Sequence, residues 1–76
     1  MFITITFVIS NFKADIRIDS EQKVGDVLNI LIESGKLPPM KIPDYFHSCI
    51  RECLISTYKT FAEEKIYDGD ILTAAK

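Results

Sequence analysis

The chain predicts an α+β architecture, with one helix packed on a mixed sheet of four to five strands. Three observations carry that expectation. The first nineteen residues alternate in polarity with period two, residues 24–32 switch to the helical period, and short apolar runs return after a proline-stiffened stretch. The 76 residues, 47% hydrophobic and 26% charged, suit one small domain spanning 1–76. They are too apolar for a disordered chain. A chain of this size buries only about 60% of its unfolded surface, so one thin core with a net stability of about 5 kcal/mol is expected. That leaves no room for the deep cleft most enzymes use.

Met1-Phe2-Ile3-Thr4-Ile5-Thr6-Phe7-Val8-Ile9 is rich in β-branched and aromatic residues. Period two places Met1, Ile3, Ile5, Phe7 and Ile9 on one face and Phe2, Thr4, Thr6 and Val8 on the other. Ser10-Asn11 supplies turn chemistry, and residues 13–19 alternate again, with Ala14, Ile16 and Ile18 inward and Lys13, Asp15, Arg17 and Asp19 outward. The short link makes the pair a β-hairpin, and the charged face of its second strand suits a sheet edge. Val24, Val27, Leu28, Leu31 and Ile32 then form one helical stripe. Ser20 or Gln22 begins that helix, with Glu21 and Asp26 near its positive end. Gly35 is placed for a left-handed C-terminal residue, and Pro38-Pro39 bars continuation. Gly25 costs helix stability and is expected to allow close approach to the sheet.

Beyond the prolines, Tyr45 to Cys53 reads as an extended third strand, followed by the short apolar pair Leu54-Ile55. Phe61 and Ile66 are core anchors in an otherwise polar segment. Tyr67-Asp68-Gly69-Asp70 is a tight turn, where turn chemistry alone explains Asp68 and Asp70 without a bound cation. Ile71-Leu72-Thr73-Ala74 is the last strand.

Several function classes fall away on these residues. Nine basic against eleven acidic side chains, a net charge of −2, argue against nucleic-acid binding. No apolar run approaches the length of a membrane helix, and the apolar N-terminus lacks a basic lead and reads as a strand, so a cytoplasmic protein without membrane insertion is expected. Cys49 and Cys53 are then expected as reduced thiols. His47, Cys49 and Cys53 offer three zinc ligands, one short of a closed structural site, and on a strand the two sulfurs lie about 13 Å apart. Cys49 beside His47 has no third group to orient a base and no oxyanion donors. No catalytic residue, cofactor or metal is therefore expected. Protein binding remains, on the sheet face that one helix cannot cover. Its candidate residues are Thr4, Thr6 and Val8, then His47, Cys49 and Arg51 on the third strand, and Ile71 and Thr73 on the last, with an apolar centre and a polar rim. The same face also suits a weak homodimer.

The order of two strands, a helix and further strands resembles the ubiquitin-like β-grasp. Gly35-Lys36-Leu37-Pro38-Pro39 is similar to the exit of the ubiquitin helix, and Phe61, Ile66, Gly69-Asp70 and Leu72 are spaced like that family's closing turn and last strand. Within it, Lys65-Ile66-Tyr67-Asp68-Gly69-Asp70-Ile71-Leu72 resembles the YukD/EsaB family, small ubiquitin-like proteins encoded with Gram-positive type VII (WXG100, ESX-like) secretion systems. The middle departs from that pattern at His47-Ser48-Cys49. The resemblance implies a non-enzymatic accessory or regulatory component of a type VIIb secretion system, contacting cytoplasmic parts of that machinery. The alternative is a β-grasp adaptor unrelated to secretion. Covalent modifiers and sulfur carriers of this fold need a terminal Gly-Gly. Here the sequence closes on Thr73-Ala74-Ala75-Lys76, so non-covalent contact is expected instead of conjugation.

Overall fold

The hairpin, the helix and the returning strands all form in the computed structural model, which describes residues 1–74. Their order is β1 (Phe2–Ile9), β2 (Phe12–Asp19), α1 (Val24–Glu33), β3 (Tyr45–Ser48), β4 (Cys53–Ser56) and β5 (Ile71–Ala74). The sheet runs β2-β1-β5-β3-β4. β1 lies parallel to β5, and the other neighbours are antiparallel. This is the expected α+β arrangement of a mixed sheet on one helix.

The first hairpin is built as its alternation demands. Ile9 faces Phe12 across a two-residue loop, and the register is unbroken to Phe2 opposite Asp19. Ser10 takes a positive φ of 52° in that loop. Ile3, Ile5, Phe7, Ile9 and Ile18 are buried, with Ala14 and Ile16 half-buried against the same core. Met1 departs from the pattern: it precedes β1 and is 82% exposed, with its amine turned to the Asp19 carboxylate at 3.3 Å.

Val24, Val27, Leu28 and Leu31 form the buried stripe of α1. The helix starts later than Ser20 or Gln22. Lys23 is its N-cap and makes no side-chain capping bond. The first free N–H groups donate instead to a distant loop, Val24 to the Lys59 carbonyl (3.0 Å) and Gly25 to the Thr57 carbonyl (2.8 Å). At the other end the structure has the left-handed Gly35 (φ 81°). Gly35 N–H donates to Ile32 O and Lys36 N–H to Leu31 O, the paired bonds of a Schellman motif. Leu37 then turns back into the core at 2% exposure.

The central layer is aromatic. Phe7, Phe46 and Phe61 are fully buried. Phe7 meets Phe46 edge-on at 5.5 Å between ring centroids and Phe61 at 6.5 Å. Phe61 and Ile66, expected as core anchors, are both buried. They flank a single helical turn closed by a capping box: Thr60 N–H donates to Glu63 Oε1 and Glu63 N–H to Thr60 Oγ1, each at 3.0 Å. Glu64, within that turn, reaches the outermost strand. Its carboxylate accepts the Ser56 N–H at 2.7 Å along the outer side of β4.

Gly25 is where the helix comes closest to its neighbour. A Cβ there would lie 3.0 Å from the Thr57 carbonyl oxygen, the same atom that accepts the Gly25 N–H. Substitution Gly25→Ala is therefore expected to lower stability by about 1 kcal/mol, even though alanine gains about 1 kcal/mol of helix propensity over glycine. At the exposed position Asn29 the change to alanine should instead stabilise by about 0.5 kcal/mol. Urea denaturation of the two variants checks both signs.

Two surface carboxylates, Glu63 and Asp19, make part of the stability depend on pH. Glu63 is held below the usual carboxylate range by the Thr60 N–H and then by its hydroxyl. Asp19 is lowered likewise, first by the Glu21 N–H and then by the amine of Met1. Because the folded carboxylates release their protons more readily than the unfolded ones, their stabilisation is complete above the ordinary carboxylate pKa. It is lost as pH falls through the depressed values. The urea midpoint should accordingly fall between about pH 5 and pH 2, with a shallower slope in Glu63→Gln.

Candidate functional site

With α1 on one side, no second layer covers the other side of the sheet among the described residues, and strand register decides which residues that side presents. One row crosses the sheet from Lys13 to Val8, Thr73, His47 and Leu54. The next runs from Asp15 to Thr6 and Ile71. Thr4 and Phe2 continue along β1 opposite Arg17 and Asp19. Tyr45 and Ser56 face each other beyond His47 and Leu54. Six expected residues, Thr4, Thr6, Val8, His47, Ile71 and Thr73, thus share this outer face.

Cys49 and Arg51 do not lie on the third strand. β3 ends at Ser48, and residues 49–52 form a tight turn into β4. The cause is a buried pair of polar side chains. Ser48 Oγ donates to Asp70 Oδ2 at 2.5 Å, and both residues are almost wholly buried. Asp70 Oδ1 also accepts the N–H of Ile50 (3.2 Å) and of Ile71 (2.7 Å), while Ser48 Oγ accepts the Arg51 N–H (3.2 Å). These bonds fold the chain back at once, and Glu52 closes the turn at a positive φ of 54°. Cys49 stays exposed beside β5, its N–H donating to Ile71 O at 3.0 Å. Arg51 swings to the β4 side, where Nη1 donates to the Glu64 carbonyl at 3.2 Å. The turn also separates the metal-capable side chains. His47 points to the outer face, whereas Cys53, one strand over, packs against the core. Among the described residues no three His, Cys, Asp or Glu side chains gather around a common point.

Two outer-face residues are absent from the sequence reading: Leu54, which the reversal at residues 49–52 brings round, and Tyr45, which shares the face of His47 by simple alternation. Leu54 is 58% exposed directly opposite His47, and Tyr45 is 53% exposed at the start of β3. The signal lay in the period: with a turn at 49–52, Leu54 falls on the same face as His47. The face then carries apolar surface at Val8, Ile71, Tyr45 and Leu54, interrupted by Thr73 and His47. On the β2 side it is rimmed by charge, with Asp15 accepting the Thr6 hydroxyl and the Arg17 guanidinium 5.5 Å above the Phe2 ring. The face thus mixes exposed apolar side chains with the Thr73 hydroxyl and the His47 imidazole at its centre and carries charge at its β2 margin.

The expectation against conjugation falls on the final residues, of which Ala75 and Lys76 lie outside those described. No helix is long and apolar enough to cross a membrane among the described residues.

Among solved structures the chain is similar to the ubiquitin of Caldiarchaeum subterraneum. Identity is 17%, covering 100% of this chain and 96% of that one, with a TM-score of 0.61. It is also similar to the UBL domain of Plasmodium falciparum Dsk2, at 15% identity over 99% of this chain and 100% of that one, with a TM-score of 0.60. Neither the protein-family models nor the curated proteins contain a match. At these identities the likeness establishes the fold, a ubiquitin-like β-grasp.

Because Asp70 anchors the turn and the first residue of β5 together, Asp70→Ala should cost about 3 kcal/mol and Ser48→Ala about 1–2 kcal/mol. Amide exchange at Ile50 and Ile71 reports the loss directly, and a fall confined to one of the two would show that the groups are not coupled.

Proposed function

We propose that this chain is a non-enzymatic protein-binding module whose residues 1–76 act as one domain and dock a partner non-covalently on the outer face of the sheet. The observation that carries this reading is the band of apolar side chains, interrupted by Thr73 and His47, across β1, β5, β3 and β4, bounded by the charges of β2. Val8, Ile71 and Thr73 form its centre, with His47, Tyr45 and Leu54 extending it. Thr4 and Thr6 supply polar contacts toward β2, and Cys49 and Arg51 frame one end from the turn. No step needs a cofactor, a metal or a nucleic acid.

The finer reading is a cytoplasmic accessory component of a type VIIb secretion system. Its support is the resemblance of residues 65–72 to the YukD/EsaB family, and its partner is a cytoplasmic part of that apparatus. A β-grasp adaptor outside secretion is the second reading, favoured by the likeness to a ubiquitin and to a UBL domain.

Substitution to glutamate at Ile71 or Leu54 tests both. Leu54 is well exposed on an outer strand, so its substitution should change stability by no more than about 0.5 kcal/mol. That of Ile71, 40% exposed on the central β5, should cost about 1 kcal/mol and leave the chain folded. Placing a charge in the centre of a contact surface should weaken partner binding at least about tenfold. Titration calorimetry against the purified cytoplasmic domains of the secretion ATPase and its membrane partners separates the two readings. Binding there that both variants lose supports the secretion reading. If none of those domains binds, while a partner from another pathway is held and released by the same variants, the adaptor reading stands alone. Binding that neither substitution touches removes the outer face as the site.

A further inference from the structure

The sheet has two outer strands, and they are treated differently. On β4 the Ser56 N–H is occupied by the Glu64 carboxylate. β2 is eight residues long, with an unbroken register to β1 and, among the described residues, no strand paired on its open side. Ser20 N–H donates to Met1 O just beyond the hairpin. Backbone bonding alternates along an antiparallel pair, so the even-numbered residues of β2 bond to β1. Lys13, Asp15 and Arg17 therefore turn their N–H and C=O groups to the open side. Asp19 is already satisfied: its N–H donates to Gln22 Oε1 (3.1 Å) and its carbonyl accepts the Gln22 N–H (2.9 Å).

A row of unpaired backbone groups is a template for another strand, and charges usually keep strands off. Here the outward charges alternate in sign: Lys13, Asp15, Arg17, Asp19. In an antiparallel pairing of two β2 strands about a two-fold axis, only odd-numbered residues can exchange backbone bonds. With Ile16 on the axis, each Asp15 lies opposite Arg17 of the second copy and each Lys13 opposite Asp19. Sliding by two residues in one direction sets Asp15 against Asp15 and Lys13 against Arg17. Sliding in the other sets Arg17 against Arg17 and Asp15 against Asp19. Opposite charges across an antiparallel pair attract and like charges repel, so the sequence admits one register and rejects its neighbours.

We propose that two copies of this chain associate through their β2 edges in that register, forming one continuous sheet with the two-fold axis at Ile16. The interaction uses the charged β2 rim of the outer face and leaves its centre, at Val8, Ile71, His47 and Leu54, free. On the helix side the seam runs along the groove of about 340 Å³ between β2 and α1, which Ile16, Val27, Ile30 and Leu31 help to line. Ile16 of one copy meets Ile16 of the other there, next to the 54% exposed Ile30. The contact is self-complementary, as a two-fold interface requires.

Sedimentation velocity between about 10 µM and 1 mM tests this, at low salt and again at about 1 M salt. The expected result is a reversible dimer that salt weakens. Arg17→Asp should weaken it at least about tenfold, because Asp15 of each copy then faces a carboxylate in place of the guanidinium, twice across the axis. Combining Asp15→Arg with Arg17→Asp restores opposite pairs, and the double variant should return to within about threefold of the original constant. Circular dichroism and urea midpoints check that the variants fold. If Arg17→Asp fails to fold, NMR dilution of the unmodified chain decides. The amides of Lys13, Asp15 and Arg17 should move with concentration, and those of Leu54 and Ile71 should not. A monomer throughout the range overturns the proposal, including the case in which an extended segment of another protein occupies this edge. A dimer indifferent to Arg17→Asp, one not recovered in the folded double variant, or shifts centred on Leu54 and Ile71 overturn it equally.

Discussion

The fold depends on a single four-residue strand. Among the described elements, β1 with β2 and β3 with β4 are two separate antiparallel hairpins, and β5 is the only strand that bonds to both. Its parallel register with β1 sets Leu72 beside Phe7, and its antiparallel register with β3 sets Leu72 beside Ser48. Because the aromatic layer of Phe7, Phe46 and Phe61 draws on both hairpins and on the segment leading to β5, closing the sheet and filling the core are one event. The chain must travel from residue 9 to residue 71 before the first strand gains its second neighbour, so much of the stabilisation comes from contacts distant in sequence.

That dependence explains what could be read from the residues and what could not. The first hairpin was legible because its alternation and its turn are local, and so was the Gly35 stop of the helix, where one residue supplies the left-handed conformation. The start of the helix was not, since its N–H groups are satisfied by carbonyls of Thr57 and Lys59, more than thirty residues away. Without a side-chain cap at Lys23, nothing nearby marks the boundary. The third strand failed for a related reason. Residues 49–52 contain neither glycine nor proline, and the reversal is imposed by Asp70 through Ser48. The turn signal therefore sits at the far end of the chain.

The candidate surface inherits the same division. Period two alone places Thr4, Thr6, Val8, Ile71 and Thr73 on one side of their strands. Which strands adjoin is a property of topology, and the row from Val8 through Thr73 to His47 exists only because β5 lies between β1 and β3. Reading 45–53 as one strand hid Leu54 and gave Cys49 and Arg51 positions that a turn residue cannot hold. Asp70, read as turn chemistry, is instead a buried structural group that shapes one end of the surface without belonging to it.

The carboxylate of Glu64 on β4 has a consequence for assembly that extends past its own strand. A sheet open on both sides can add neighbours without limit, and chains built that way tend toward filaments. On β4 the Glu64 carboxylate takes one of the two N–H groups that face outward, those of Leu54 and Ser56, so this short flank offers an added strand much less than β2 does. If copies join through β2 as proposed, the pair has only these short, partly occupied edges left at its ends, which favours a closed pair over a growing ribbon.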